Sequence, residues 1–279
     1  MAIKDILFTL TSYPEPTPSS AVNDAIAVAA TLGAHLAAIS CEVHVEVPGH
    51  FLAGKIANLP GLVAAEAAKS RKNAKDLLDA FDTAAEKSDV PHEMILEKCA
   101  TYRTSSLLVE YARIRDLTIL PLPESYDQWY AEELIFESGR PILVLPTAPL
   151  SRPFQLETVV VAWDFSRAAA RAVADALPLL ENAKKLRIVT VVNEKAFDTK
   201  TSNEDLAKNL GRHGIQVVLD NVDAAGRSIG EVLEAHVLAH KADVLVMGAY
   251  GHSKWREIVL GGATKSLLSN PPVPVLFSH

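Results

Sequence analysis

Short apolar runs alternate along this chain with alanine-rich and charged stretches, a rhythm of strand followed by helix. In the second half the apolar runs fall near 157–163, 185–192, 215–221, 243–247 and 273–277. Between them, apolar residues at helical spacing predict helices near 167–182, 201–212, 227–239 and 262–269. Strands without a polar face, each followed by a helix, predict a parallel sheet covered on both sides.

The same landmarks occur earlier in the same order. Ile6-Leu7-Phe8-Thr9-Leu10-Thr11 lines up with Val159-Val160-Val161-Ala162-Trp163-Asp164, and alanine-rich helical stretches follow, Ala21 to Leu32 and Ala168 to Leu180. The run from Asp116 to Leu120 matches that from Asp243 to Met247. Each half closes on a proline-led strand, Pro141 to Leu145 and Pro272 to Leu276. An internal repeat of this length predicts two tandem α/β units, each a doubly wound parallel sheet of five strands with Rossmann-like winding. Pro146, Pro149 and Pro153 interrupt the chain between them and read as a linker, giving domains at 1–146 and 154–279. The first half carries an insertion, roughly Val47 to Val90. Within it, Leu77, Leu78, Phe81 and Ala84 stand among charges from Leu62 to Lys87 as an amphipathic helix, favoured to pack on its own sheet over binding a partner.

Composition narrows the function. With 279 residues, 49% hydrophobic and 22% charged, the chain can bury full cores. A net charge of −7 supplies no basic stripe, which argues against nucleic acid as a partner but leaves room for one bound nucleotide. Cys41 and Cys99, without CxxC spacing, suit reduced, buried thiols. The N-terminal residues enter a strand pattern without a leader, and no apolar run approaches the roughly 20 residues that cross a bilayer. A cytoplasmic protein with no membrane contact is the expectation.

The candidate chemistry lies after the fourth strand of the second half. There Gly248, Gly251 and His252 open a loop that ends at Gly261-Gly262-Ala263-Thr264, the start of a helix. Glycines permit close backbone approach, and a helix start offers unpaired N–H groups and partial positive charge, the makings of a phosphate site. In an open parallel sheet the ligand crevice also takes the segment after the first strand, here Ala162-Trp163-Asp164. Asp164 is placed to accept hydrogen bonds from a ribose or an adenine edge, with Val191, Val192 and Met247 as the apolar wall against the base. The Thr264 hydroxyl could add a phosphate contact or help hold Mg²⁺. The plainer alternative is that Asp164 and Ser166 cap the next helix.

Other signals carry less. His236 and His240 are four apart on a predicted helix, but no third ligand is evident, so they read as surface or core histidines. Neither GxxxxGK[ST] nor GxGxxG after a strand occurs. His252-Ser253 lacks an orienting acid, and Gly226 to Gly230 reads as a turn and helix start.

These residues resemble the universal stress protein family. Its ATP-binding members carry glycine, two residues, glycine, nine residues, glycine, then a hydroxyl residue, which Gly248, Gly251 and Gly261 reproduce. Gly262 stands where the hydroxyl is expected, and Thr264 matches a second hydroxyl position. Asp164 and Val246-Met247-Gly248 also fit, and the paired layout resembles the tandem members. The resemblance implies strand order 3-2-1-4-5 and pairing of the halves through their last strands. The first half departs from it: Thr11 replaces Asp164, Pro121 and Pro123 replace the glycine loop, and Glu132, Glu133 and Glu137 surround the phosphate region. The first half is expected to keep the fold without the ATP site.

The leading expectation is a stress-response or regulatory protein holding ATP or ADP, with or without Mg, in its second half. Binding would order the loop from Ala249 to Leu260, with Trp255 in it, and alter the surface offered to a protein partner the sequence does not name. The alternative is an enzyme hydrolysing or transferring from ATP. It would need a base and metal-holding carboxylates, and only Asp164 is at hand, so no catalytic residue is assigned. A third reading is an interaction module with an empty pocket. Pro274 suits an edge strand, and association of two whole chains is left open.

Overall fold

The computed structural model describes residues 2–44, 59–122, 128–193, 199–249 and 262–279. The first half runs β1 (Asp5–Leu10), α1 (Ser19–Leu32), β2 (His35–His44), α2 (Leu59–Lys87), β3 (His92–Ala100), α3 (Thr104–Arg113), β4 (Leu117–Pro121), α4 (Gln128–Glu137) and β5 (Ile142–Leu145). The second runs β6 (Thr158–Ala162), α5 (Arg167–Leu180), β7 (Lys185–Val192), α6 (Asn203–Gly211), β8 (Val217–Asp223), α7 (Ile229–Ala239), β9 (Val244–Gly248), α8 (Gly262–Ser269) and β10 (Val275–Ser278). The repeat read from the sequence is therefore present element for element.

Local chemistry explains several boundaries. α1 stops because Gly33 takes φ 59°, a left-handed conformation that closes the helix. α6 and α7 each begin with a capping box, Ser202 with Asp205 and Ser228 with Glu231, in which side chains satisfy otherwise orphaned N–H groups. The Gly226 to Gly230 segment is thus the turn and helix start expected of it.

The strands join in a single sheet of order β3-β2-β1-β4-β5-β10-β9-β6-β7-β8. Each half keeps the order 3-2-1-4-5, but the two expected sheets are fused edge to edge. Every neighbouring pair is parallel except β5 with β10, which are antiparallel, Ile142 opposite Phe277 and Val144 opposite Val275. The halves thus pair through their last strands. The edge position expected from Pro274 is corrected by the same observation: β10 is central. Pro274 lies one residue before the strand and contributes only its carbonyl, which accepts the Leu245 N–H at 3.0 Å, so no ladder donor is lost.

Alternate residues of each strand enter opposite faces, and each face carries a core running through both halves. Phe8, Leu36, Val161 and Leu276 belong to one; Leu7, Val160, Leu245 and Phe277 belong to the other. The helix in the insertion packs on its own sheet, with Leu77, Leu78 and Phe81 buried and Ala84 against the same core. Two aspartates repeat a function the sequence did not disclose. Asp116 accepts the N–H groups of Lys4 and Asp5 at the start of β1, and Asp243 accepts that of Thr158 at the start of β6. Each ties the fourth strand of its half to the first. Among the described residues no helix is long and apolar enough to cross a membrane.

Candidate functional site

In the second half the chain passes from β6 outward to β7 and β8, while β9 lies on the other side of β6. The strand order reverses between β6 and β9, where ligands bind in sheets of this kind. Val161 pairs with Val246, so the segments that follow the two strands leave the same edge side by side.

After β6, the Trp163 N–H still bonds to the Val189 carbonyl at 2.9 Å. The Asp164 carboxylate then accepts the Ser166 N–H at 3.0 Å, turning the chain through Phe165 at φ 61°. Ser166 in turn caps α5, its hydroxyl accepting the Ala169 N–H at 3.0 Å. The capping alternative is therefore divided between two residues: Ser166 is the cap, and Asp164 shapes the turn leading to it. The Trp163 and Phe165 rings meet edge to face with centroids 5.7 Å apart, and the buried Trp163 Nε1 has no hydrogen-bond partner.

Gly248 ends β9 against the first turn of α5. A Cβ there would lie 2.4 Å from the Ala168 carbonyl carbon and the Ala169 nitrogen. The glycine is required by helix packing, a reason distinct from approach to a ligand. Of the apolar wall, Val191 and Met247 are buried in the core shared with α7 and α8, Ala162 packs against it, and Val192 is half exposed. At the start of α8, Gly262 is exposed with nothing within 4 Å of a Cβ position, Ala263 is half-buried, and Thr264 is buried. Gly251, His252 and Gly261, with Trp255 and most of the loop from Ala249 to Leu260, lie outside the described residues. The other predicted site residues come to the carboxyl edge of β6, β7 and β9 or to the start of the helix that returns to β10.

The matching edge of the first half has a cavity of about 280 Å³. Leu10, Thr11, Tyr13, Ile39, Cys41 and Tyr130 are among its lining. Thr11 uses its N–H on the Thr17 hydroxyl at 2.8 Å, so the position matching Asp164 closes a local turn. Cys41 and Cys99 are free and buried, as expected, but they also touch each other, a contact the sequence did not show. Hydrogen bonds from Cys41 and Thr104 hold the Cys99 thiol below its ordinary range, and the same contact with burial pushes Cys41 up.

Comparison with known proteins follows the same division between halves. Across nearly its whole length the fold is similar to a universal stress protein from Archaeoglobus fulgidus DSM 4304, with a TM-score of 0.69 and 14% identity over 98% of this chain and 95% of that one. It is also similar to a candidate universal stress protein from Pseudomonas aeruginosa UCBPP-PA14, with a TM-score of 0.56 and 14% identity over 99% and 93%. At such identity the likeness is one of fold. No match was found among curated proteins. The family signal lies in one half: residues 155–279 match the model of the Universal stress protein family.

Proposed function

We propose that the chain is a tandem universal stress protein that binds ATP or ADP between β6 and β9 of its second half and acts in stress response or regulation without catalysis. The observation that carries this reading is the exit of the Asp164 turn and the Gly248 loop from adjacent strands at the reversal of strand order. The described residues suit a nucleoside: an acidic side chain on a capped turn, an indole N–H without a partner, and the half-exposed Val192. The open start of α8 at Gly262 suits a phosphate tail, which backbone N–H groups would hold despite the negative net charge.

Calorimetric titration of the full chain with ATP and ADP, with product analysis of the same samples, tests this. Saturable binding without turnover is expected, weakened about tenfold or more by Asp164→Ala, the scale of losing a hydrogen bond to a charged group. Absence of binding to the unaltered chain sinks the nucleotide reading. Turnover would move the assignment to an ATP-consuming enzyme.

A further inference from the structure

Beyond the nucleotide crevice, the outer edge of the second half gathers three groups that bind metals. His236 of α7 and His240, the residue that caps the end of that helix, are four positions apart, with ring centroids 4.5 Å apart. The third group, which the sequence alone did not supply, is Asp220 of β8, the edge strand beside β7. One ligand atom from each of the three lies within 4.8 Å of the other two. His236 is 8% exposed, and its Nε2 is buried without a hydrogen-bond partner. That nitrogen lies 3.3 Å from the Asp220 carboxylate, close but not aligned for a hydrogen bond. A buried polar atom left unsatisfied beside two further donor groups calls for a partner.

We infer that Asp220, His236 and His240 bind one divalent transition-metal ion, zinc being the best fit, independently of the nucleotide site. Two imidazoles and a carboxylate match the three protein ligands of an open tetrahedral zinc site, with water in the fourth position. Imidazole donors disfavour magnesium and calcium, which take oxygen ligands. The exposed His240 leaves the ion a path from solvent. Arg187 of β7 holds both Asp220 oxygens with its Nε and Nη2, each at 2.7 Å. That fork orients the carboxylate, as outer partners of metal ligands do, while its charge moderates affinity for a dication. The bound ion would tie the edge strand β8 to α7.

The test titrates the untagged full chain with Zn²⁺ by calorimetry and with Co²⁺ by visible absorption, beside His240→Ala and His213→Ala. His240 is exposed, so its replacement leaves the fold intact, and His213 is a surface histidine outside the cluster. Saturation at one ion per chain, a tetrahedral Co²⁺ spectrum and a raised thermal midpoint are expected. His240→Ala should weaken binding by at least about tenfold, and His213→Ala should leave it unchanged. Absence of saturable binding overturns the inference, as does zinc affinity that survives His240→Ala or is lost in His213→Ala.

Discussion

Gly248 shows how one residue type answers to more than one demand. Its place at the head of the glycine loop is legible from spacing, but its contact with the backbone of Ala168 and Ala169 is not. That contact depends on how α5 crosses β9, which no local pattern encodes. Replacing Gly248 with alanine puts a methyl group where two main-chain atoms already stand. A loss of roughly 1–3 kcal/mol is expected, the range for overpacking, read as a lowered urea midpoint. An unchanged midpoint would mean that the helix yields freely. The place of Asp164 just beyond the first strand of its half was legible, whereas the bond from its carboxylate to Ser166 emerged only from the turn. Asp220 could not be joined to His236 and His240 by reading the sequence, because its approach depends on the register of β8 against β7 and on the seating of α7.

At the scale of elements, periodicity located the helices and strands well because apolar runs and caps coincide, as at Ser202 and Ser228. The insertion was legible in the same way, since its apolar residues mark the face α2 turns to the sheet. The contact of α2 with β3 carries a pH dependence. The His92 Nδ1 lies 2.8 Å from the Val90 carbonyl and its Nε2 lies 3.0 Å from the Asp82 carboxylate. Two acceptors call for a proton on each nitrogen. The Val90 carbonyl first, then Asp82, raises the His92 pKa above its ordinary value. The folded state therefore holds this proton more tightly than the unfolded chain, whose histidine titrates near about 6.5. The stabilisation is complete below that value and fades as pH rises through the folded pKa. His92→Gln should thus cost more stability at about pH 6 than at about pH 9, as read by denaturant unfolding at both. An equal cost at the two would remove His92 from the account.

For the whole molecule, the repeat disclosed two units and their closing strands, but fusion into one sheet rests on side chains that complete a core on both faces of the seam. Leu143 and Leu276 fill one face, and Ile142 and Phe277 the other. Additional contacts cross between the halves: the Thr31 hydroxyl reaches the Phe154 carbonyl at 3.2 Å, and the Phe136 and His279 rings meet edge to face at 4.7 Å. Residues 154–279 produced alone would leave β10 with an unpaired antiparallel edge. Sedimentation should show such a fragment as a dimer, two copies joined β10 to β10. A stable monomer would mean that the seam contributes little.

The opposed direction of β5 and β10 has one more result. The carboxyl ends of β6 and β9 and the cavity beside Cys41 lie at opposite ends of the sheet, with the height of the strands between them. A molecule seated in one leaves the other accessible, so two visitors need not compete for room. Any message between them has to cross the seam where the halves meet.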